Sequence, residues 1–279
     1  MKVTPAYLAT ALVLAAAPVL AEPLWRAEGF DMPESVLFDA PRNRLIVSVM
    51  QGHPGAADGK GGLALLSAQG VVLDADWVNG MDAPKGLALM GDRLLVADLT
   101  RLHVIDVDTG AVLDSLTSRD MVFLNDVTAT ADEAFVSDLM TGTIWRYAGG
   151  TLLPWLNDPD LPHPNGLLID GDDLLVATWG KGLREDFSTE TPGDLIAISR
   201  ADQSQRVLAA GLGNLDGVAR LGASLYVNDW VTGALFAVTE GQAAQVATGP
   251  AGLADIAPGP DGLLMPLMLD GAVEGWSVP

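Results

Sequence analysis

The chain has 279 residues, no cysteine and a formal net charge of −21. The missing cysteine excludes disulfides, thiolate metal sites, cysteine nucleophiles and a lipoprotein anchor. So acidic a chain repels nucleic acid and anionic membranes and attracts cations.

Lys2 opens a short positive start, and an Ala- and Leu-rich apolar run follows from Ala6 to Ala17. Val19-Leu20-Ala21 then offers small side chains where a signal peptidase reads. The pattern predicts a secretory signal over residues 1–21, cleaved after Ala21, and a periplasmic or secreted mature chain beginning at Glu22. Loss of Lys2 takes the formal charge from −21 to −22. The run falls short of the roughly 20 residues a spanning helix needs, and no later segment is long and apolar enough, so no membrane insertion is expected.

Residues 22–279 read as one all-β domain. A short apolar strand ending in a small, acidic or apolar residue recurs six times: LIVSVM from Leu45, LLVADL from Leu94, AFVSDL from Ala134, LLVATW from Leu174, LYVNDW from Leu225 and LLMPLM from Leu263. The copies lie roughly 40 to 50 residues apart, the size of one four-stranded propeller blade. Each copy has a short strand and tight turn before it and a third strand after it. Five have a fourth strand, and the sixth runs out at Pro279. The segment PLWRAEG, Pro23 to Gly29, can supply the missing strand. The reading is a six-bladed β-propeller, four strands (A to D) per blade, closed by its N-terminal strand, which removes two otherwise exposed sheet edges.

The six A strands align on Val36, Leu87, Val127, Leu167, Val218 and Ile256. Two residues earlier stand Glu34, Lys85, Asn125, Asn165, Asp216 and Ala254; one residue earlier stand Ser35, Gly86, Asp126, Gly166, Gly217 and Asp255. In a propeller, equivalent A-strand positions converge at one mouth of the channel. Asn165-Gly166 and Asp216-Gly217 also suit ordinary turns, but a turn does not account for Glu34 and Asn125 in the same register. Converging carboxylates repel unless a cation lies between them. An all-oxygen set with no histidine suits Ca²⁺ first, then Mg²⁺ or Mn²⁺, with Zn²⁺ as a further option.

The motifs PES at Pro33, LNDV at Leu124, HPNGL at His163 and LDGV at Leu215 each head a blade. With them the mature chain resembles the senescence-marker-protein/gluconolactonase/luciferin-regenerating (regucalcin-like) family, relatives of the paraoxonases. The resemblance implies a hydrolase of a lactone or ester using one divalent cation. It implies Glu34, Asn165 and Asp216 as metal ligands, with Asn125 ligating directly or through water and touching substrate. Two residues depart from the pattern. Ser35 stands where paraoxonase-like members place an acid for a second, structural calcium, which leaves Asp126 short of a partner for such an ion. Lys85 stands in the ring, where it can hold a substrate anion or pair with Glu34 or Asp216 in place of the metal.

The expected mechanism is metal-assisted hydrolysis of a small-molecule substrate, with Asp216 or His163 moving the proton and Lys85 and Asn125 orienting the substrate. Two long B-to-C loops, from Gln51 and from Trp179, overhang that face and bring His53, Lys60, Lys181 and Arg184 within range. Trp179 and Trp230 end B strands there and are expected to pack between blades, with lining of the pocket as the alternative for either. The alternative is a non-catalytic propeller plugged by Lys85, with a partner protein on its loops. No motif for an organic cofactor occurs.

Overall fold

The computed structural model describes residues 22–278, so the expected signal over residues 1–21 lies outside the described residues. Six antiparallel four-stranded sheets form a ring. The N-terminal strand is β1 (Glu22–Glu28). Blade 1 holds β2 (Pro33–Asp39), β3 (Arg44–Val49), β4 (Gly61–Ser67) and β5 (Val72–Met81). Blade 2 holds β6 (Pro84–Met90), β7 (Arg93–Asp98), β8 (Arg101–Asp106) and β9 (Val112–Thr117). Blade 3 holds β10 (Leu124–Ala129), β11 (Glu133–Asp138), β12 (Thr143–Ala148) and β13 (Thr151–Asn157). Blade 4 holds β14 (Pro164–Asp170), β15 (Asp173–Thr178), β16 (Gly193–Ser199) and β17 (Gln205–Gly213). Blade 5 holds β18 (Leu215–Leu221), β19 (Ser224–Asp229), β20 (Ala234–Thr239) and β21 (Gln242–Thr248). Blade 6 holds β22 (Ala257–Pro258), β23 (Leu263–Leu267) and β24 (Ala272–Ser277) and takes β1 as its fourth strand. All six repeats fall on second strands, as the spacing predicts.

Each inner strand is covered on both faces by neighbouring blades, which is why the repeats read as unbroken apolar runs rather than alternating ones. Val96 of blade 2 packs towards Leu63 of blade 1, while Leu95 and Ala97 turn to Trp145 and Tyr147 of blade 3. Blade 6 closes the circle in the same way, with Ala27, Leu264 and Val273 packed on Val36 and Leu45 of blade 1. Its first strand is only two residues long. Pro258 is its second residue and Pro260 follows, and a proline cannot donate to a ladder.

Five first strands share an irregularity. Between Pro33↔Val49 and Val36↔Val47, two residues of β2 face one of β3. The same two-against-one step occurs at Lys85 and Gly86, at Asn125 and Asp126, at Asn165 and Gly166, and at Asp216 and Gly217. These are β-bulges, which bend a strand and re-aim its side chains. A bulge also breaks the local ladder, so a backbone N–H must find another partner. In three blades the facing residue supplies it. Ser48 Oγ accepts from Ser35 N at 2.9 Å, Ser137 Oγ from Asp126 N at 2.9 Å and Asn228 Oδ1 from Gly217 N at 3.0 Å.

The acids at the fifth position of three of the repeats are structural. Asp98 accepts from the N–H groups of Asp82 and Ala83, Asp138 from Val122 and Phe123, and Asp229 from Asn214. Each carboxylate thereby ties down the segment that leads into its own bulge.

Candidate functional site

The bulges turn Glu34, Lys85, Asn125, Asn165 and Asp216 towards one cavity at the pore mouth. All five side chains are buried. The sixth position, Ala254, is buried among Met50, Ala83, Leu99 and Met268. The next residue of the bulge decides how closely the blades approach. A Cβ on Gly166 would lie 2.0 Å from the backbone oxygen of Asp216, and one on Gly86 would lie 2.3 Å from Asp126 Oδ1. Glycine is therefore the residue that lets neighbouring bulges meet.

Asn165 and Asp216 are joined directly. Asn165 Nδ2 donates to Asp216 Oδ1 at 2.8 Å and to Leu215 O at 3.1 Å. Two acceptors hold the amide nitrogen on that side, so Asn165 Oδ1 faces away from them, buried and without a partner. Glu34 Oε2 is also buried without a partner. A polar atom in that state is costly unless something the structure does not carry satisfies it. Both are oxygens, and both belong to the expected ligand set, so the donor chemistry fits a hard cation. Among the described residues no group of three or more His, Cys, Asp or Glu side chains is arranged for a metal ion. The ring instead combines two carboxylates with amide oxygens.

The electrostatics agree with that fit. Burial pushes the Glu34 carboxyl well above the usual range, and the charges of Asp216 and Asp255 push it further, against the pull of Lys85. Burial and Asp255 likewise raise Asp216, against its hydrogen bond from Asn165. Lys85 is held down at about 8, by burial first, while Glu34 and Asp98 draw it up. Its Nζ donates to Ala83 O at 2.8 Å and lies 4.6 Å from the centroid of the Phe123 ring. No ion pair among the described residues joins Lys85 to Glu34 or Asp216, so its attraction to Glu34 acts across a gap.

Behind the ring, Ser35 Oγ donates to Asp255 Oδ2. Asp126 accepts from Val127 N and Leu167 N, both at 2.6 Å.

Above the ring the cavity has a volume of about 200 Å³. Its wall is made by the last residue of the repeat in five blades: Met50, Leu139, Trp179, Trp230 and Met268. Phe123, Pro54, Asp186 and Phe187 complete it. The Trp179 and Trp230 rings lie 5.9 Å apart, tilted by 52°. Trp179 Nε1 donates to Phe187 O at 2.8 Å and so folds the 179–192 loop inwards. Sequence reasoning raised Trp179 and Trp230 as pocket residues only as an alternative, and missed the rest of this collar and the loop residues Asp186 and Phe187. The repeat itself held the signal for the collar, since its final position recurs once per blade. No such signal exists for Asp186 or Phe187.

His163 does not line the cavity. Its backbone is left-handed (φ 53°) and its Nδ1 lies 2.8 Å from Leu139 O, so Nδ1 carries the proton. The residue borders a neighbouring groove with Met140, Pro162 and Lys181. Of the four loop residues expected within range, none lines the cavity. Lys60 pairs with Asp58, Arg184 with Glu190, and His53 Nδ1 accepts from Gly55 N.

Fold and site together define a six-bladed β-propeller with a buried polar ring beneath an apolar cavity. Solved structures share the fold. The chain is similar to a proposed gluconolactonase (18% identity, 94% of each chain covered, TM-score 0.66). It is also similar to a chain of the nidogen/laminin complex (17% identity, 77% of this chain and 79% of that one, TM-score 0.61). A catalytically inactive virginiamycin B lyase from Staphylococcus aureus, crystallised with quinupristin, matches at 10% identity over 93% of this chain and 100% of that one, with a TM-score of 0.60. At such identities the likeness is one of fold. No family model matches the sequence, and no curated protein aligns with it. Among the described residues no helix is long and apolar enough to cross a membrane.

Proposed function

We propose that this protein is a divalent-metal-dependent hydrolase of a lactone or ester, working in the periplasm or outside the cell. The observation that carries this reading is the pair of buried, unpartnered oxygens, Glu34 Oε2 and Asn165 Oδ1, at the floor of a ligand-sized cavity. The gluconolactonase-like neighbour is compatible with it.

Glu34, Asn165, Asp216 and Asn125 would hold one cation, Ca²⁺ foremost. When bound, it supplies Lewis-acid polarisation of the substrate carbonyl. The ring carboxylates balance its charge, which leaves the Lys85 ammonium to face the oxygen that gains negative charge. Asn125 orients the carbonyl from the adjoining blade. Asp216 accepts a proton as water forms its bond to the carbonyl carbon, and returns it to the alkoxide released when the acyl C–O bond breaks. The products are a hydroxy acid from a lactone, or an acid and an alcohol from an ester. His163, outside the cavity wall, takes no step.

The competing reading is a non-catalytic scaffold in which Lys85 neutralises the ring. Its support is that Lys85 is 2% exposed and is the one basic residue in the ring. Chelation separates the two. A hydrolase of this kind loses activity and thermal stability in EDTA and regains both with one cation; a plugged scaffold changes in neither.

A further inference from the structure

The floor and wall of the cavity differ in chemistry. Every polar ring group sits at the bottom. The wall is built from Met50, Leu139, Trp179, Trp230, Met268 and Phe187. Trp179 has already given its N–H to Phe187 O. The residue after the collar is also apolar and exposed in three blades: Met140 (37%), Val231 (46%) and Leu269 (56%). Asp186, itself exposed, is the one charged side chain of the cavity that does not come from the ring.

A polyhydroxylated ligand needs a hydrogen-bond partner for each hydroxyl it takes out of water, and beyond Asp186 and the Trp230 N–H such a wall offers none. An aryl or alkyl group gains from the same wall by leaving water and stacking on its rings. From this contrast we infer that the cavity selects a lactone or ester with an apolar, preferentially aromatic, substituent, and rejects sugar-derived lactones. The carbonyl end meets the ring and the apolar substituent fills the collar. The carbonyl chemistry rests on the hydrolase reading; the apolar selection rests on the wall alone.

Binding and turnover are measured separately. The binding probes are two slowly hydrolysed lactams, γ-phenyl-γ-butyrolactam and glucono-δ-lactam, titrated by calorimetry into the mature protein with Ca²⁺ present. The phenyl compound is expected to bind at least about tenfold more tightly, the discrimination a buried aromatic contact supplies. Trp230→Ala should erase that preference and Trp230→Phe should restore most of it, which a mere folding defect would not do. Equal binding, tighter binding of the gluconolactam, or no binding of either overturns the inference. Hydrolysis of the matching lactones is then followed by acid release. A phenyl preference in binding without turnover of either lactone leaves the apolar selection standing and sinks the hydrolase reading.

Discussion

Asn165 Nδ2 donates to Asp216 Oδ1 at 2.8 Å, across the boundary between two blades, and this bond points Asn165 Oδ1 away, where it is buried without a partner. The two residues are 51 positions apart in the chain. Each reaches the other only because both stand in bulges, and Gly166 leaves room for the second bulge to pass. The ring is therefore a property of the closed propeller rather than of any single blade.

Removal of Asp216 should abolish cation binding. In the chelated protein, adding a cation at a hundredfold excess over its dissociation constant should stabilise the fold by about 2.7 kcal/mol, or roughly 5–10 °C in melting temperature for a domain this size. Asp216→Ala should show no rise with Ca²⁺, Mg²⁺, Mn²⁺ or Zn²⁺, and no hydrolysis. A variant that keeps the rise would remove Asp216 from the ligand set.

Gly166→Ala should disturb the ring by overpacking. Its new Cβ would meet backbone, not a flexible side chain, so a loss of about 1–3 kcal/mol is expected. Gly249→Ala is the control, with a nearest contact of 3.5 Å. Urea unfolding should show a clear drop in midpoint for the first variant and little change for the second. Equal midpoints would mean that the blades are not in the close contact described.

Ser137→Ala should weaken both blade and ring. Ser137 Oγ accepts from Asp126 N and donates to Asn165 O at 2.7 Å, so its loss strands a buried N–H and frees the backbone that carries Asn165. The expected cost is about 1–3 kcal/mol by urea unfolding, with weaker cation binding in the same variant. Thr, which keeps the hydroxyl, should retain most of both. A Thr variant as damaged as the Ala variant would show that the site responds to volume alone.

Asp98 and Asp138 hold the same repeat position but should respond to acid with opposite signs. Burial pushes Asp98 up, yet its hydrogen bonds from His103 and from the N–H groups of Asp82 and Ala83 outweigh that and hold it below its ordinary 3.8. Its contribution to stability is complete at neutral pH and is lost as pH falls below that value. Burial wins at Asp138, which is raised, so its ionisation opposes folding as pH climbs above 3.8. Asp98→Asn should therefore cost most at neutral pH and least in acid. Asp138→Asn should cost more in acid than at neutral pH. Urea midpoints of both variants between neutral pH and about pH 3 test this, and parallel trends would contradict it.

Blade number, strand assignment and ring register were legible in the sequence, because each rests on a local pattern repeated six times. A strand buried on both faces must be a short apolar run, and the copies of such a run count the blades. The N-terminal strand could be matched to the gap left in the last blade. Equivalent first-strand positions could be aligned without knowing that a bulge, rather than a plain strand start, turns them inwards.

What the tertiary structure alone decided lies where chain segments meet without a shared pattern. The Lys85 ammonium could have paired with Glu34 or Asp216 on sequence grounds; the fold seats it on Ala83 O and the Phe123 ring instead. His163 and Phe123 occupy equivalent positions two residues before Asn165 and Asn125. Phe123 reaches the cavity while His163 turns to Leu139 O. Asp186 and Phe187 enter because a long, irregular loop folds back on Trp179. Local periodicity is set by neighbours along the chain. Which side chain completes a cavity is set by contacts between segments from different blades, and those distances exist only once the ring has closed.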